Sequence, residues 1–584
     1  MRKTKIVCTI GPASESVEML EKLIKAGMNV ARLNFSHGTH EEHKLRIDNI
    51  KKIRQQLNKP VAIMLDTKGP EVRLGKFKTS SEELVVGQSF TLTTRDIEGD
   101  NSIVSISYKS LPEEVGKGTR ILIADGLIEL IVLDKNDTDV FCQVVNGGTV
   151  SDRKNVNIPG ATSKLPAVTD RDIADINFGI NNGIDFIAAS FIRKASDIFE
   201  IRRILDQRRA DHVQIIAKIE NQQGVDNCDE ILRVSDGLMV ARGDLGVEIP
   251  TEDIPLVQKH LIAKANALGK PVITATQMME SMIRNPRPTR AEVTDIANAI
   301  FDGTDAVMLS GETAVGKYPF ETVSTMATIA ERTETALDYR KKLIKSDGYE
   351  NINVTNAISF ASCAAAMDLG ASAIITPTQS GSTARMVSRY RPKAPIVAAT
   401  PDEKVARKLS LSFGVNSVTV LPTESTDEMI KHSVDRALEA ELIKNGDLVV
   451  ITAGIPVGVA GTTNLIKVHV VGEVIARGMG IGSKAVTGKV CIIRNAEKEI
   501  DTIQEGDILV AEATDLDMIP LMMKAAAFIV EEGGLTSHAA IVGLELGKPV
   551  VVGVEKATDN FINGQIVTVD SSRGLIYKGR ARVL

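Results

Sequence analysis

Lys218 and Glu220 close one apolar run, QIIAKIE, and Asp244 follows Gly243 at the end of a second, GLMVARGD. Residues two apart on a strand share a face, so Lys218 and Glu220 project together. If the second run lies parallel to the first, the carboxylates of Glu220 and Asp244 converge with a lysine beside them. Two carboxylates and a lysine at one strand end suit Mg²⁺ and a substrate phosphate: hard oxygens hold the cation and the ammonium meets phosphate charge. A surface ion pair is the alternative. It explains less, because charged residues ending two buried apolar strands cost free energy unless they are used.

Groups at strand ends need a frame that gathers the ends. An apolar strand followed by a helical segment recurs eight times: KIVCTI (5–10), NVARLNF (29–35), VAIMLDT (61–67), FIAASF (186–191), QIIAKIE (214–220), GLMVAR (237–242), PVITATQ (271–277) and AVMLS (306–310). Near-continuous apolar runs separated by helices indicate parallel strands covered on both faces. Eight such units predict an α/β fold, the closed (β/α)8 TIM barrel, whose chemistry sits at the strand C-termini. The unusual residues concentrate there: Arg32, Asn34, Ser36, Asp66, Thr67, Lys218, Glu220, Asp244, Thr276, Ser310 and Glu312. A doubly wound open sheet competes, but does not readily bring residues from nearly all strands to one point.

The barrel takes residues 1–68 and 169–339. Between its third and fourth strands, residues 69–168 turn rich in Thr, Val, Gly and Asp with short alternating runs such as QSFTLTT, which predicts an inserted all-β domain placed to act as a lid. Residues 340–472 form a second α/β unit, with strands ASAIITPT, APIVAAT, NSVTVLPT, DLVVITAG and IKVHVVG. A Gly-rich stretch then leads into a further compact unit, residues 473–584.

The 584 residues carry 69 basic and 75 acidic side chains, a net charge of −6 that argues against nucleic acid or an anionic membrane as partner. No apolar run reaches the roughly 18 residues of a membrane helix, and the start MRKTKIVCTIGP lacks a signal core. Five scattered cysteines without CxxC pairs fit buried thiols in a reducing cytoplasm.

The segments ARLNFSHG (31–38), LDTKGPEVR (65–73), AKIENQQG (217–224), GLMVARGDLGVEIP (237–250), ATQMMESMIRNPRPTRAE (275–292) and DAVMLSGETAVGKYP (305–319) together resemble pyruvate kinase over about residues 1–472. The resemblance implies transfer of the phosphoryl group of phosphoenolpyruvate to ADP, giving pyruvate and ATP. It implies Glu220 and Asp244 as Mg²⁺ ligands, Lys218 against the transferring phosphoryl group, and Arg32 and Arg73 on phosphate oxygens. It places the substrate carboxylate at the backbone around Gly243, and Thr276 near the carbon protonated when the enol becomes pyruvate, relaying a proton from water or another group. Asn34, Ser36, Asp66 and Thr67 match a monovalent cation site, and Glu71 is the variant associated with a K⁺ requirement. Asn34, His37, Arg73 and Lys154 lie toward the nucleotide. The family also implies a homotetramer. Other readings stay open: Asn34 and Ser36 as caps of the next helix, Arg73 as an ordinary loop arginine, Asp125 within ADG as a turn former or a lid carboxylate, and Glu312 as a helix-start residue or a group behind the metal ligands.

Thr378, Ser380, Gly381, Ser382 and Thr383 lie between a strand and the helix ARMVSRYR. Hydroxyls, a glycine and a helix start make a phosphate cradle or a plain N-cap. In the resembled family this loop holds the phosphate of an allosteric effector. Members that respond to fructose bisphosphate add basic and aromatic residues in a later loop. Its counterpart AGIPVGVAGTTN (453–464) has none, which favours a monophosphate, either a sugar phosphate or AMP.

Residues 514–553 resemble the swivelling phosphohistidine domain of phosphoenolpyruvate synthase and pyruvate phosphate dikinase, with His538 at the phosphorylated position. Leu544 stands where that family usually has arginine and Leu516 where it has proline, which favours a docking or stabilising role. Alternatives to the kinase are a phosphocarrier acting through His538, a non-catalytic phosphometabolite sensor and a barrel lyase. The first lacks room for a nucleotide-binding partner domain, the second predicts loss of Lys218, Glu220 or Asp244, and the third does not require lid, lysine and cation site together.

Overall fold

The computed structural model describes residues 1–160, 165–346, 353–456, 462–495, 499 and 502–581. They fall into two compact units. In the first, β1 (Lys5–Thr9), β2 (Val30–Asn34), β3 (Ala62–Asp66), β4 (Phe186–Ala189), β5 (Gln214–Ile219), β6 (Gly237–Ala241), β7 (Val272–Ala275) and β8 (Ala306–Leu309) close into a parallel barrel. Each strand pairs with its sequence neighbours and β8 returns to β1, aligning Lys5 with Ala306.

The strands are buried on both faces, which is why their sequences read as unbroken apolar runs. Val7, Val30, Ala62, Met64, Phe186, Ala188, Ile216, Met239, Ile273, Ala275, Ala306 and Met308 form one cluster drawn from all eight strands. Such a filled interior is a packed core rather than a channel. Surrounding helices begin at threonines: Thr39, Thr169 and Thr289 each make a reciprocal capping box before His40–Gln56, Asp170–Asn181 and Arg290–Asp302.

A repeated device sets the strand starts. The residue before each even-numbered strand accepts a backbone N–H at the start of the preceding odd strand: Asn29 from Ile6 at 2.9 Å, Asp185 from Ile63 at 2.9 Å, Asp236 from Ile215 at 2.8 Å and Asp305 from Val272 at 3.1 Å. An arginine donates to each of the four, namely Arg2, Arg407, Arg202 and Arg391. Side chains thus satisfy N–H groups that a closed barrel leaves unpaired at its N-terminal rim.

Between β3 and β4 the chain forms a six-stranded sheet and a two-stranded ribbon around their own core, which includes Phe90, Leu92, Val104, Ile121, Leu130 and Val140. The second unit holds a five-stranded sheet, parallel at Ala373–Pro377, Ile396–Thr400 and Leu448–Ala453 and closed by antiparallel Leu465–Val470. It also holds an eight-stranded sheet with a parallel centre of Ala485–Ile492, Ile508–Ala511, Ala527–Val530 and Val550–Val552. Among the described residues no helix is long and apolar enough to cross a membrane, and all five cysteines are buried free thiols.

Candidate active site

Parallel pairing of β5 with β6 sets Lys218 beside Met239 and Ile219 beside Val240, so Glu220 emerges next to the turn carrying Gly243 and Asp244. Lys218 Nζ lies 2.9 Å from Glu220 Oε1 and donates to Asp66 Oδ1 at 3.1 Å and Ser190 Oγ at 2.8 Å. Arg32 Nε donates to the other oxygen of Asp66 at 2.6 Å, and its Nη1 reaches Thr9 Oγ1 at 2.8 Å. The ends of β1, β2, β3 and β5 are thereby joined through four charged side chains, each less than a tenth exposed.

Burial works against the charge on Asp66, but Arg32 and Lys218 outweigh it and hold the carboxyl below its usual range. Burial likewise opposes the Lys218 ammonium, and Asp66 and Glu220 more than restore it, leaving the pKa above that of an ordinary lysine. The other carboxylates behave oppositely. Burial pushes Glu220 up to about 7 against the pull of Lys218. It also raises Asp244, which lies in hydrogen-bond reach of Glu220. Burial disfavours two negative charges side by side, and a divalent cation would offset them. The donor set therefore fits Mg²⁺. Among the described residues no group of three or more His, Cys, Asp or Glu side chains forms a fuller metal cage.

Thr276, just past β7, takes φ +68 and Gln277 φ +54. Left-handed backbone is costly for a β-branched residue and persists only where its surroundings impose it. Here the Thr276 hydroxyl accepts from the Gly243 N–H at 2.8 Å, while Arg242 donates to the carbonyls of Ala275 and Thr276 at 3.2 and 2.8 Å. Gly243 does not have a left-handed φ, and a Cβ there would lie 3.5 Å from Thr276 Oγ1. Glycine keeps that narrow space open.

On the neighbouring strand ends, Asn34 pairs in register with Asp66, and its Oδ1 accepts the Ser36 N–H at 3.1 Å. Thr39, not Asn34 or Ser36, caps the following helix. Thr67 Oγ1 accepts from the Ser190 N–H at 3.1 Å. Glu71 lies 2.7 Å from Arg73 and 3.6 Å from Lys68, so Arg73 is held by a specific partner. Lys154 and His37 are exposed. Asp125 sits at φ +57 in a lid turn, accepts from Asn155, and its charge helps raise Asp244. Glu312 is buried and accepts the N–H groups of Met279 and Ser310 at 3.2 and 2.7 Å, bracing the ends of β7 and β8.

Three contributors escaped the sequence reading. Ser190, closing β4, accepts from Lys218 and donates to the Thr67 carbonyl at 2.6 Å. It obeys the same strand-end rule as the residues that were found. The Phe191 N–H donates to Glu220 Oε2 at 2.5 Å, which carries no side-chain signature. Asn157 of the lid donates to Glu248 at 3.0 Å, and Glu248 shares the helix Arg242–Glu248 with Asp244. Glu248 and Asp244 both line a cavity of about 360 Å³ bounded by lid residues 155–158 and barrel residues 221–223.

In the second unit, Thr378 Oγ1 accepts the Gly381 N–H at 3.0 Å, and Thr383 and Thr463 hydroxyls meet at 3.0 Å. Thr378, Ser380, Ser382 and Thr383 line a cavity of about 340 Å³ that His432, Met429 and Leu421 help wall. Residues 457–461 of the later loop lie outside the described residues. His538 opens the helix His538–Glu545, with its Nδ1 2.9 Å from Thr514 Oγ1.

Residues 1–323 match the pyruvate kinase barrel domain, 356–469 the pyruvate kinase alpha/beta domain, and 503–574 the mobile domain of PEP-utilising enzymes. Pyruvate kinases of Bacillus licheniformis and Geobacillus stearothermophilus are 56% and 55% identical, with all of each chain covered. A crystal structure of a pyruvate kinase from Cryptosporidium parvum superposes with a TM-score of 0.77 at 42% identity, covering 80% of this chain and 96% of that one. With full-length relatives above half identity and a barrel-domain match over more than half its length, the chain belongs to the pyruvate kinase family.

Proposed function

We propose that phosphoryl transfer from phosphoenolpyruvate to ADP takes place where β3, β5 and β6 end, with the roles divided as follows. Glu220 and Asp244 hold Mg²⁺, which when bound supplies positive charge to phosphoryl oxygens. Lys218, kept charged by Asp66 and Glu220, faces the transferring group, and its contacts with Ser190 and Asp66 fix where that charge sits. A loose phosphoryl transition state calls for fixed charge and alignment, and this lysine offers both. Arg32 binds phosphate oxygens, and the backbone at Gly243 takes the substrate carboxylate. When the bridging bond to phosphorus breaks, the enolate of pyruvate gains a proton at its methylene carbon. Thr276, held beside Gly243, relays that proton from water.

The observation carrying this reading is the buried cluster of Arg32, Asp66, Lys218 and Glu220 with Asp244 beside it, where burial disfavours the negative charge on Glu220 and Asp244 that a bound cation would offset. Asn34, Ser36, Asp66 and Thr67 hold K⁺, with Glu71 supplying the negative charge behind the requirement. Asn34, His37, Arg73 and Lys154 bind the nucleotide. The loop Thr378–Thr383 binds the phosphate of a sugar monophosphate or AMP, and activation by micromolar fructose bisphosphate would count against that choice. The working assembly is a cytoplasmic homotetramer, which light scattering on the purified chain tests directly. Residues 473–584 dock or stabilise, and phosphate on His538 after incubation with phosphoenolpyruvate would refute that role.

The test is pyruvate formation from phosphoenolpyruvate and ADP with Mg²⁺, in K⁺ and in Na⁺, for the unchanged chain and for Lys218→Met. K⁺-stimulated turnover, with kcat reduced at least ~100-fold in Lys218→Met, is expected from the loss of a fixed transition-state charge. Unimpaired turnover in that variant would remove Lys218 from the chemistry.

A further inference from the structure

The loop joining β2 to the helix His40–Gln56 carries Asn34, Ser36 and His37, and its backbone is fastened residue by residue. The Phe35 N–H donates to the Asp66 carbonyl at 3.0 Å and the His37 N–H to the Asn34 carbonyl at 3.3 Å. Arg171 donates to the Phe35 carbonyl at 2.9 Å. His43 Nε2 lies 2.9 Å from the His37 carbonyl, and a carbonyl only accepts, so Nε2 carries the proton. Phe35 stacks on the His43 ring at 3.9 Å with 14° between planes. Phe35 is 2% exposed and His43 1%. His43 Nδ1 is buried without a hydrogen-bond partner among the described residues. The ring therefore does one polar job, which is to hold the loop. Asp175 steadies the second anchor, lying 3.7 Å from Arg171 and 2.6 Å from His40.

We infer that His43, assisted by Arg171, is a positioning residue for the monovalent cation, fixing the carbonyls on either side of Ser36 so that Asn34 and Ser36 present their oxygens in one arrangement. A univalent ion gains little from each oxygen, so the free energy of ordering its ligands weighs heavily in its affinity. A loop left loose pays that entropy on every binding event, whereas a loop already held by side-chain donors has it settled in folding. His43, on the helix, acts through its contact with the loop backbone. This inference rests on the cation-site reading given above.

The experiment measures the K⁺ concentration for half-maximal activity in the unchanged chain, His43→Phe, His43→Gln and Arg171→Met. Thermal melts and the KM for phosphoenolpyruvate at saturating K⁺ are recorded alongside. His43→Phe keeps the stack and loses the donor; its half-saturating K⁺ is expected to rise about tenfold, the size of one lost buried hydrogen bond, with kcat at saturating K⁺ within about twofold. His43→Gln restores a donor and should recover most of the loss. Arg171→Met, at a half-exposed side chain, should rise about threefold. If the unchanged chain shows no K⁺ stimulation, the cation-site reading itself fails. If it is stimulated, an unaltered K⁺ constant in folded His43→Phe overturns the inference, as does an equal loss in His43→Phe and His43→Gln. Should His43→Phe not fold, an unaltered constant in Arg171→Met overturns it.

Discussion

Gly243 illustrates how one missing side chain serves a site. Its φ is one that any residue adopts, so the usual argument from left-handed backbone does not apply, and a methyl group would make only ordinary contacts with Thr276. Gly243→Ala should therefore fold as well as the unchanged chain, with a melting temperature within about 2 °C. The methyl would occupy the gap beside Thr276 where the substrate carboxylate is proposed to approach, and the KM for phosphoenolpyruvate should rise about tenfold. Steady-state kinetics with a parallel melt decides it; an unchanged KM would place the carboxylate elsewhere. Lys5 makes the opposite point, a charge buried where no substrate comes. Burial pushes its pKa down to about 7, assisted by Arg2 and opposed by Glu334 and Asp305, while its Nζ donates to the Val415 carbonyl. A base depressed on folding gives stability that is complete above its unfolded pKa, near 10.5, and lost as pH falls toward 7. Lys5→Met removes the titration, so it should stabilise most at pH 7, by about 1–3 kcal/mol once the lost hydrogen bond is counted. The advantage should shrink by pH 9.5; equal differences at the two pH values would show that Lys5 does not titrate in this range.

At the scale of elements, the barrel was legible because strands buried on both faces have no choice but unbroken apolar sequence, and polar residues ending such strands stand out. Arg32, Asp66, Lys218 and Glu220 were found in this way, and the structure brings them within hydrogen-bonding distance of one another. The opposite rim was not legible. Asp185, Asp236 and Asp305 each precede a strand, where an aspartate reads as a turn residue; their targets are N–H groups on the preceding strand, and only the pairing of neighbouring strands supplies them. Their arginines come from as far along the chain as Arg391 and Arg407. The caps should differ in worth with burial. Asp305 and Arg391 have side chains only 5% and 7% exposed, whereas Asp236 and Arg202 are 30% and 28% exposed. Asp305→Ala takes the carboxylate partner from a buried guanidinium and the acceptor from the backbone N–H groups of Val272 and Phe413, and should cost about 3–5 kcal/mol. Asp236→Ala should cost about 1–2 kcal/mol. Denaturant unfolding monitored on the barrel unit ranks them, and an equal cost for both would mean that desolvation is not what sets the scale.

At the scale of the molecule, the proposed catalytic residues all lie within residues 1–276, while the phosphohistidine-like module sits at the far end of the sequence. Its physical connection to the rest of its own unit is specific. Tyr577 packs with Leu448 and Val470 from the five-stranded sheet, joined by Leu575 and Ala581. Gly446, at φ +92, lies so close to the Arg580 carbonyl that a Cβ would sit 1.9 Å from it. A chain ending at Gly472 would strip these groups from Leu448 and Val470 and expose an apolar edge that the present sequence covers. The truncated chain should keep its kcat and its KM for phosphoenolpyruvate within about twofold, because nothing in the barrel or lid is removed. Its second unit should melt several degrees lower, since deleting buried aromatic contacts typically costs about 3–5 kcal/mol. Tyr577→Ala in the full-length chain separates loss of packing from loss of the module and should reproduce much of the drop. If Tyr577→Ala melts normally while the truncation does not, the stabilising contacts lie elsewhere in residues 473–584. If truncation abolishes turnover in a chain whose barrel remains folded, the module takes part in the reaction cycle, and the phosphorylation state of His538 becomes the quantity to follow.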